Sequence, residues 1–247
     1  MKVLDWNVCA FSKKQGLSID QALKFNADLL CLQEVTKDSL KILKSTPGYS
    51  LAETKDNESK KGGSYPVILT KMRILNSGKF SYYDKTTTSP AAKIISSYTK
   101  ESEKHDALYI DLEINGRIVR VYNLHISWPV SPSIRKLQFT NFLNIIKTHK
   151  YKKIICGDLN VFGGLKLYTL LAFFPFGYSK RDIFFNERKW FNTQFQELEM
   201  QNLWKILSHG LCFPLMRNLT MCWFQIPSLL PAQHSLNRGM VLTTLLI

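Results

Sequence analysis

Several apolar segments of the chain end in residues that can bind a metal ion or a phosphate group. These residues are Asn7, Glu34, Asn123, His125, Asp158 and Asn160. Carboxylate and amide oxygens are ligands that Mg²⁺ and Mn²⁺ prefer, and histidine adds a titratable group and a donor to phosphate oxygens. The set therefore predicts metal-assisted chemistry at a phosphate ester.

Each of these residues, taken alone, also has a structural explanation. Asn7 could cap a turn, Glu34 could be a solvated strand end, and His125 could be a buried core residue. The segment from Asp158 to Asn160 could form a turn in which the aspartate accepts from the backbone. The joint pattern carries more weight, because buried strands deliver the side chains at their ends to a shared edge where sites are assembled.

Alternating strand and helix patterns would position these residues. The segments KVLDWNV and ADLLCLQEV are typical of strands, and YKKIICGDLN is typical of a buried strand that ends in polar residues. Asn115-Gly116 predicts a tight hairpin turn, and residues 133–150 repeat their apolar positions at helical spacing. This order predicts an α/β sandwich of mixed sheets.

The composition is that of a globular protein. The chain has 247 residues, of which 45% are hydrophobic and 21% are charged, enough for one large domain. Its apolar runs are too short to span a bilayer, and its first residues resemble a strand rather than a leader peptide. Five cysteines without metal-type spacing fit a reducing compartment. We expect a cytoplasmic monomer with no transmembrane segment.

The net charge of +14 favours a polyanionic partner, because basic surfaces attract phosphate backbones over long distances. The lysines are spread evenly, however, so a general lysine bias explains the charge about as well. Nucleic acid is therefore one candidate partner.

The motifs, in their order along the chain, resemble those of the endonuclease/exonuclease/phosphatase family, which has the DNase I-like fold. The matching motifs are Trp6-Asn7, LCLQEV around Glu34, NLH at Asn123 to His125, and CGDLN around Asp158. The resemblance covers roughly residues 1–205 and implies a four-layer α/β/β/α sandwich of two mixed sheets. NLHIS stands where abasic-site endonucleases typically carry a tyrosine, so the chain looks more like the DNase, sphingomyelinase and phosphatase branches.

The resemblance also implies a role for each site residue. Glu34 would be the principal metal ligand, supported by Asn7 and Asp158. Asp158 would also orient or activate the attacking water. The residues implied to contact the scissile phosphate are Asn123, His125 and Asn160, and those implied to be catalytic are His125, Asp158 and Asn160. The implied reaction is hydrolysis of a phosphodiester by metal-activated water, with Mg²⁺ or Mn²⁺ as cofactor.

Two other functions stay open at this point. Residues 170–195 interleave aromatic residues with Lys180, Arg181, Arg188 and Lys189. Such a stretch could face stacked bases or the lipid interface of a sphingomyelinase-like phosphodiesterase, or it could pack as an amphipathic helix. The second alternative function is that of a non-catalytic protein that binds phosphate or nucleic acid.

The C-terminal residues depart from the family pattern. No acid follows Glu199, so the aspartate and the Ser-Asp-His element that end the family's motif series are absent. A frame slip explains this: the codons of Met221 to Phe224, read one frame away, must give Val-Leu-Val, and those of Gly239 to Thr244 permit Tyr-Gly-Ser-Asp-His. We therefore expect a domain over residues 1–205 and an out-of-frame tail over 206–247, with the last strands missing or non-native and activity impaired.

Overall fold

The computed structural model describes residues 1–10, 12–54, 64–82, 106–127, 130–161, 180–198, 201–202, 220–224, 232–235 and 240–244. The first elements are β1 (Lys2–Asn7), α1 (Gln15–Lys24), β2 (Leu29–Thr36), α2 (Lys37–Lys44), β3 (Ser50–Glu53) and β4 (Ser64–Thr70). They are followed by β5 (Ile74–Ser81), β6 (Asp106–Ile114), β7 (Arg117–His125), α3 (Pro132–Lys147) and β8 (Lys152–Asp158). The last are α4 (Lys180–Phe184), α5 (Glu187–Glu197), β9 (Gln201–Asn202), β10 (Thr220–Phe224), β11 (Ala232–Ser235) and β12 (Met240–Thr244).

The strands form two mixed sheets. The strand order is β11-β12-β1-β2-β4-β3 in the first sheet and β5-β6-β7-β8-β10-β9 in the second. The pairs β1/β2 and β7/β8 are parallel, and the other described pairs are antiparallel. Each sheet thus has one parallel pair near its centre, and these two pairs carry the predicted site motifs.

Three hydrophobic cores lie between the layers. Each sheet contributes to two of them, because side chains alternate between the two faces of each strand. Leu4 and Leu30 pack with Ile19 of α1 and Leu40 of α2 on the outer face of the first sheet. A second core lies between the sheets and includes Val3, Cys31, Ile110, Val121 and Ile154. A third joins the second sheet to α3 and α5 and includes Tyr122, Ile155, Phe139, Phe142, Phe191 and Phe195. The predicted four-layer α/β/β/α sandwich is confirmed.

The local signals for turns and caps are also met. Asn115 and Gly116 both have positive φ, 52° and 71°, as a tight hairpin turn between β6 and β7 requires. The hydroxyl of Ser131 accepts from the backbone N–H of Ile134, and Pro132 occupies the first turn of α3. Among the described residues, no helix is both long and apolar enough to cross a membrane.

Three segments of the C-terminal tail extend the sheets. β10 pairs antiparallel with β8, with Thr220 opposite Asp158, and β12 pairs antiparallel with β1, with Met240 opposite Trp6. The sequence predicted that the last strands are missing or non-native. In these segments the backbone does form strands, so the prediction that they are missing is wrong there. A strand requires only backbone hydrogen bonds, which any non-proline sequence can supply.

Candidate active site

The site residues come from the ends of the two parallel strand pairs. In the first sheet Asn7 of β1 pairs with Gln33 of β2, and in the second sheet His125 of β7 pairs with Asp158 of β8. Because parallel strands end at the same edge of a sheet, each pair presents its last side chains at one edge. A hydrogen bond from Asn7 to Asp158 joins the two edges into one rim.

The side chain of Asn7 links the two carboxylates of this rim. Its Nδ2 donates to Glu34 Oε1 at 2.9 Å and to Asp158 Oδ2 at 2.8 Å. Its Oδ1 accepts from the backbone N–H of Cys9 at 2.9 Å. The structure thus brings Asn7, Glu34 and Asp158 together, since both carboxylates lie within hydrogen-bonding distance of one nitrogen.

Glu34 reaches the rim because β2 carries a bulge. The register of β2 with β4 shifts between Leu32 and Val35, and both of these residues pack on the helix side of the sheet. Glu34 has a φ of 58°, a left-handed conformation that is uncommon for a non-glycine residue and costs on the order of 1–3 kcal/mol. Its Oε2 accepts from the backbone N–H of Ala10 at 2.9 Å. The surrounding structure therefore imposes this conformation.

Gln15, at the start of α1, holds the bulge in place. Its Nε2 donates to the carbonyl oxygens of Cys9 at 3.1 Å and Glu34 at 2.9 Å. Its Oε1 accepts from the backbone N–H of Thr36 at 2.9 Å and from the Thr36 hydroxyl at 2.7 Å. The residue is buried, and its two donors and two acceptor sites are all used. Gln15 is therefore a positioning residue for Glu34.

Asp158 is buried at the end of β8 and accepts two hydrogen bonds. Its Oδ1 accepts from the backbone N–H of Asn160 at 2.9 Å, which is the local turn that the sequence also allowed. Burial raises the pKa of Asp158 above its usual value of 3.8, against the lowering effects of His125, the Asn160 N–H and Asn7. A raised pKa makes this carboxylate a better proton acceptor near neutral pH.

Gly157, immediately before Asp158, allows β8 to approach β7 closely. It has a φ of 143°, and a Cβ atom there would lie 2.0 Å from the carbonyl oxygen of Leu124. Its N–H donates to Asp5 Oδ2 at 2.9 Å. Glycine is the residue that this position accepts, because any side chain would collide with the neighbouring backbone.

His125 and Asn160 complete the rim. His125 Nε2 lies 3.5 Å from Glu34 Oε1, so the imidazole faces the same space as the two carboxylates. Asn160 has a φ of 48°, and its Nδ2 donates to the carbonyl oxygen of Ile126 at 2.7 Å. That bond fixes Asn160 against the residue that follows His125.

Asn123 is not brought to the rim, in contrast to the prediction that it contacts the phosphate. Its side chain is 0% exposed. Its Nδ2 donates to the carbonyl oxygens of Leu32 at 2.9 Å and Val67 at 3.0 Å, and its Oδ1 accepts from Gln33 Nε2 at 2.7 Å. Asn123 bridges the two sheets inside the protein, two residues before His125 on β7.

Asp5 lies in the same inter-sheet layer. Its Oδ1 accepts from Gln33 Nε2 at 2.8 Å, and its Oδ2 accepts from the N–H of Gly157. Burial raises the pKa of Asp5 from 3.8 to about 8, although the hydrogen bonds from Gly157 and Gln33 oppose the shift. This polar layer connects β1 and β2 to the backbone that carries Asp158.

Residues 6–197 match the sequence profile of the Endonuclease/Exonuclease/phosphatase family. The chain belongs to this family. Members of the endonuclease/exonuclease/phosphatase family are hydrolases that act on phosphate esters. A search of curated protein sequences finds no match to the chain.

Solved structures of this family share the fold at low sequence identity. A family protein from Leptotrichia buccalis is 12% identical with a TM-score of 0.63, covering 100% of both chains. A mannosyl-6-phosphatase from Bacteroides thetaiotaomicron is 13% identical with a TM-score of 0.63, also covering 100% of both chains. D. rerio TDP2, complexed with a single strand DNA product, is 15% identical with a TM-score of 0.61, covering 100% of this chain and 99% of that chain. At these identities the similarity establishes the fold alone.

The chemistry of the rim residues fits the divalent metal that family enzymes generally use. Over the described ranges, no group of three or more His, Cys, Asp and Glu side chains is arranged as a metal cage. However, Glu34 and Asp158 share one neutral amide nitrogen, and no described lysine or arginine forms an ion pair with either. The two carboxylates supply the hard oxygen ligands that Mg²⁺ and Mn²⁺ require, while Asn7 presents its amide nitrogen to them and its oxygen to the Cys9 N–H.

Sequence reasoning missed Gln15, Asp5 and Gln33. Asp5 and Gln33 each interrupt an apolar strand, which is a signal for a buried polar contact, because polar groups inside a core need partners. Gln15 has no such signal, since it lies at the start of an ordinary amphipathic helix.

Proposed function

We propose that this protein is a divalent-metal-dependent phosphoesterase whose active centre is the rim formed by Asn7, Glu34, His125, Asp158 and Asn160. The single observation that supports this most strongly is the convergence of Glu34 and Asp158 on Asn7 Nδ2, at 2.9 and 2.8 Å. Two carboxylates are brought together there without a lysine or arginine among their described ion-pair partners. Membership in a family of phosphate ester hydrolases agrees with this assignment.

Glu34 and Asp158 would hold the metal ion, supported by Asn7, and Mg²⁺ or Mn²⁺ is proposed because both carboxylates are hard oxygen ligands. When bound, such an ion neutralises charge on a phosphate and lowers the pKa of water. Glu34 is suited to a fixed ligand role because its backbone is held by Gln15 and its Oε2 by the Ala10 N–H.

Asp158 is proposed to orient the attacking water and accept its proton. Its burial and raised pKa support this role, because a base works best when its pKa approaches the working pH. His125 and Asn160 would donate to the oxygens of the scissile phosphate. Asn123 is assigned a structural role instead, since its donors are used by the backbone of the first sheet.

We further propose that turnover is low, because the tail supplies no terminal aspartate and histidine. A general acid or base typically contributes about 10²- to 10⁴-fold in rate. In the shifted frame the codons of Thr220 and Met221 permit an aspartate, and Thr220 pairs with Asp158. A variant in which the codons of residues 206–247 are translated in the shifted frame should therefore have a higher kcat than the unaltered chain. Equal kcat values for the two proteins, normalised for folded protein, would contradict this proposal.

The experiment that tests the function is hydrolysis of bis(p-nitrophenyl) phosphate with Mg²⁺, with Mn²⁺, and with EDTA. We expect slow hydrolysis with either metal, none with EDTA, and none in Asp158→Asn. The matched control is Asp38→Asn, which changes an exposed carboxylate on α2 whose ion pair with Lys41 is solvent-accessible. Hydrolysis that persists in EDTA would contradict the proposed role of the metal. No hydrolysis together with tight phosphate binding would favour a non-catalytic binding protein.

A further inference from the structure

Phe184, in α4, is the most exposed large hydrophobic residue that the structure describes. Its side chain is 89% exposed, and the next is Leu17 at 59%. Exposing an aromatic ring of this size to water is unfavourable, and exposed aromatics are common where a partner binds. The residues around Phe184 indicate what kind of partner fits.

Phe184 is followed in the chain by Phe185, whose ring pairs with that of Trp190. Phe185 and Trp190 have ring centroids 6.3 Å apart, and both are only half-buried. Trp190 is anchored from below by the core residues Phe139 and Phe191, with edge-to-face centroid distances of 6.1 and 5.1 Å. The Trp190 ring is therefore held rigidly and keeps an accessible side.

Basic side chains border these rings. Lys136 Nζ lies 5.5 Å from the centroid of Phe185 and 5.3 Å from that of Trp190, within the range of cation–π attraction. Arg181 and Lys189 are also exposed. We name these six residues the aromatic–basic surface: Lys136, Arg181, Phe184, Phe185, Lys189 and Trp190.

Two of the three acidic residues on α4 and α5 do not offset this positive charge at the surface, and the third, Glu197, is exposed at the last position of α5. Asp182 is buried and accepts from the hydroxyl and the backbone N–H of Ser133. Glu187 is buried and forms a two-point ion pair with Arg135, at 2.6 and 2.9 Å. Both carboxylates face α3, so the solvent side keeps an excess of positive charge that complements phosphates.

The aromatic–basic surface lies within reach of the active centre. The hydrogen bonds from Ser133 to Asp182 hold α4 against the start of α3. Ser133 is only eight residues after His125 of the rim. Eight extended residues span at most about 30 Å. At the spacing of about 3.4 Å per nucleotide along one strand, this distance corresponds to fewer than about ten nucleotides.

We propose that the aromatic–basic surface binds single-stranded nucleic acid and guides it to the rim. Phe184, with Phe185 and Trp190, would stack on bases, while Lys136, Arg181 and Lys189 would contact phosphates. This inference deepens the proposed function by naming its substrate class and a second contact region. A duplex fits less well, because its bases are already stacked. A lipid surface fits less well too, because one fully exposed ring among basic groups is not a continuous apolar face.

The test is fluorescence anisotropy with a labelled 12-nucleotide oligothymidylate, in EDTA so that no cleavage occurs. Phe184→Ala should weaken binding by about 5- to 150-fold, the range that loss of one stacked base produces. Phe184→Trp should keep the affinity because it restores a ring. Ile42→Ala is the matched control, since Ile42 is an exposed apolar residue on α2, and it should leave binding unchanged.

Other outcomes would overturn the proposal. Equal affinity of wild type and Phe184→Ala for the oligonucleotide would exclude stacking at Phe184. If Phe184→Ala loses the wild-type binding to vesicles containing phosphatidylserine but keeps the wild-type affinity for the oligonucleotide, the surface binds membranes instead. Ile42→Ala should hydrolyse bis(p-nitrophenyl) phosphate at the wild-type rate. If the wild type does not hydrolyse this small ester, the proposed function fails, while anisotropy still decides the binding proposal.

Discussion

Asn7 and Asp158 are joined by a hydrogen bond of 2.8 Å, although 151 residues separate them in the sequence. The same nitrogen of Asn7 also donates to Glu34, at 2.9 Å. One neutral amide thus separates two carboxylates that would otherwise repel each other. The charge balance of the rim depends on this residue, which gives a direct way to probe it.

Replacing Asn7 with aspartate should destabilise the metal-free protein, because a third carboxylate enters the rim and the two hydrogen bonds from Nδ2 are lost. We expect a loss of about 1–3 kcal/mol in the free energy of unfolding. A divalent cation should offset the repulsion, and a ligand at 100 times its Kd contributes about 2.7 kcal/mol. Thermal unfolding with and without Mn²⁺ measures both effects.

The control for this change is Asn144→Asp, at an exposed position on α3. It should alter neither the Tm nor the response to Mn²⁺. If Asn7→Asp responds to Mn²⁺ no more than this control does, the rim does not hold a metal.

Replacing Gln15 with methionine should reduce kcat more than it raises KM. Methionine has a similar volume but leaves the carbonyl oxygens of Cys9 and Glu34 unpaired, so the strained backbone of Glu34 can relax. Gln21→Met, at an exposed position on the same helix, is the matched control. Steady-state kinetics with a small phosphodiester separate the two parameters, and an unchanged kcat would show that Gln15 does not position Glu34.

Replacing Gly157 with alanine should disrupt folding, because the added Cβ would lie 2.0 Å from the Leu124 carbonyl oxygen. We expect a loss above about 3 kcal/mol, the range of severe core defects. Gly16→Ala should act in the opposite sense: no atom lies within 4 Å of the new Cβ, and alanine favours a helix by roughly 0.5–1 kcal/mol. Urea unfolding of both variants checks the contrast, and similar stabilities would contradict it.

Acidification should destabilise the protein through His149. The ring nitrogen Nδ1 lies 2.6 Å from the Tyr122 hydroxyl and 3.5 Å from an Arg120 nitrogen, so it acts as an acceptor. Burial and then Arg120 lower the pKa of His149 below 6.5. The unfolded chain therefore binds a proton more readily, and stability is lost as the pH falls below 6.5.

His149→Gln, which does not titrate, should lose less stability than the wild type between about pH 7 and about pH 5.5. The difference should be under about 1 kcal/mol because the ring is partly exposed to solvent. Urea unfolding at the two pH values provides the measurement. Parallel losses in both proteins would show that His149 has no part in the pH dependence.

The sequence predicted the rim well where a polar residue ended an apolar strand. Asn7, Glu34, His125 and Asp158 all satisfy this rule, and the structure brings them together. The rule did not distinguish Asn123 from His125, because strand alternation places both on the same face and only their depth differs. Two residues along a strand correspond to about 6.6 Å, which is enough to remove Asn123 from the rim and place it between the sheets.

Other features depend on contacts that no local pattern encodes. Gln15 acts on Glu34 through a bulge in β2, and the bulge becomes visible only when β2 pairs with β4. The position of Phe184 likewise depends on the contact of Asp182 with Ser133 in α3. The backbone pairing of β10 and β12 was not expected from the unusual composition of the tail.

The most direct test of the central claim is a double-mutant cycle on Glu34 and Asp158, measured as Mn²⁺-dependent kcat/KM for bis(p-nitrophenyl) phosphate. If the two carboxylates form one metal-dependent centre, Glu34→Gln and Asp158→Asn should each lower kcat/KM by at least about 10²-fold. The double variant should then have nearly the same kcat/KM as the less active single variant, because the effects of residues that act as a unit are not additive. Losses that multiply in the double variant, or wild-type activity in either single variant, would contradict the account.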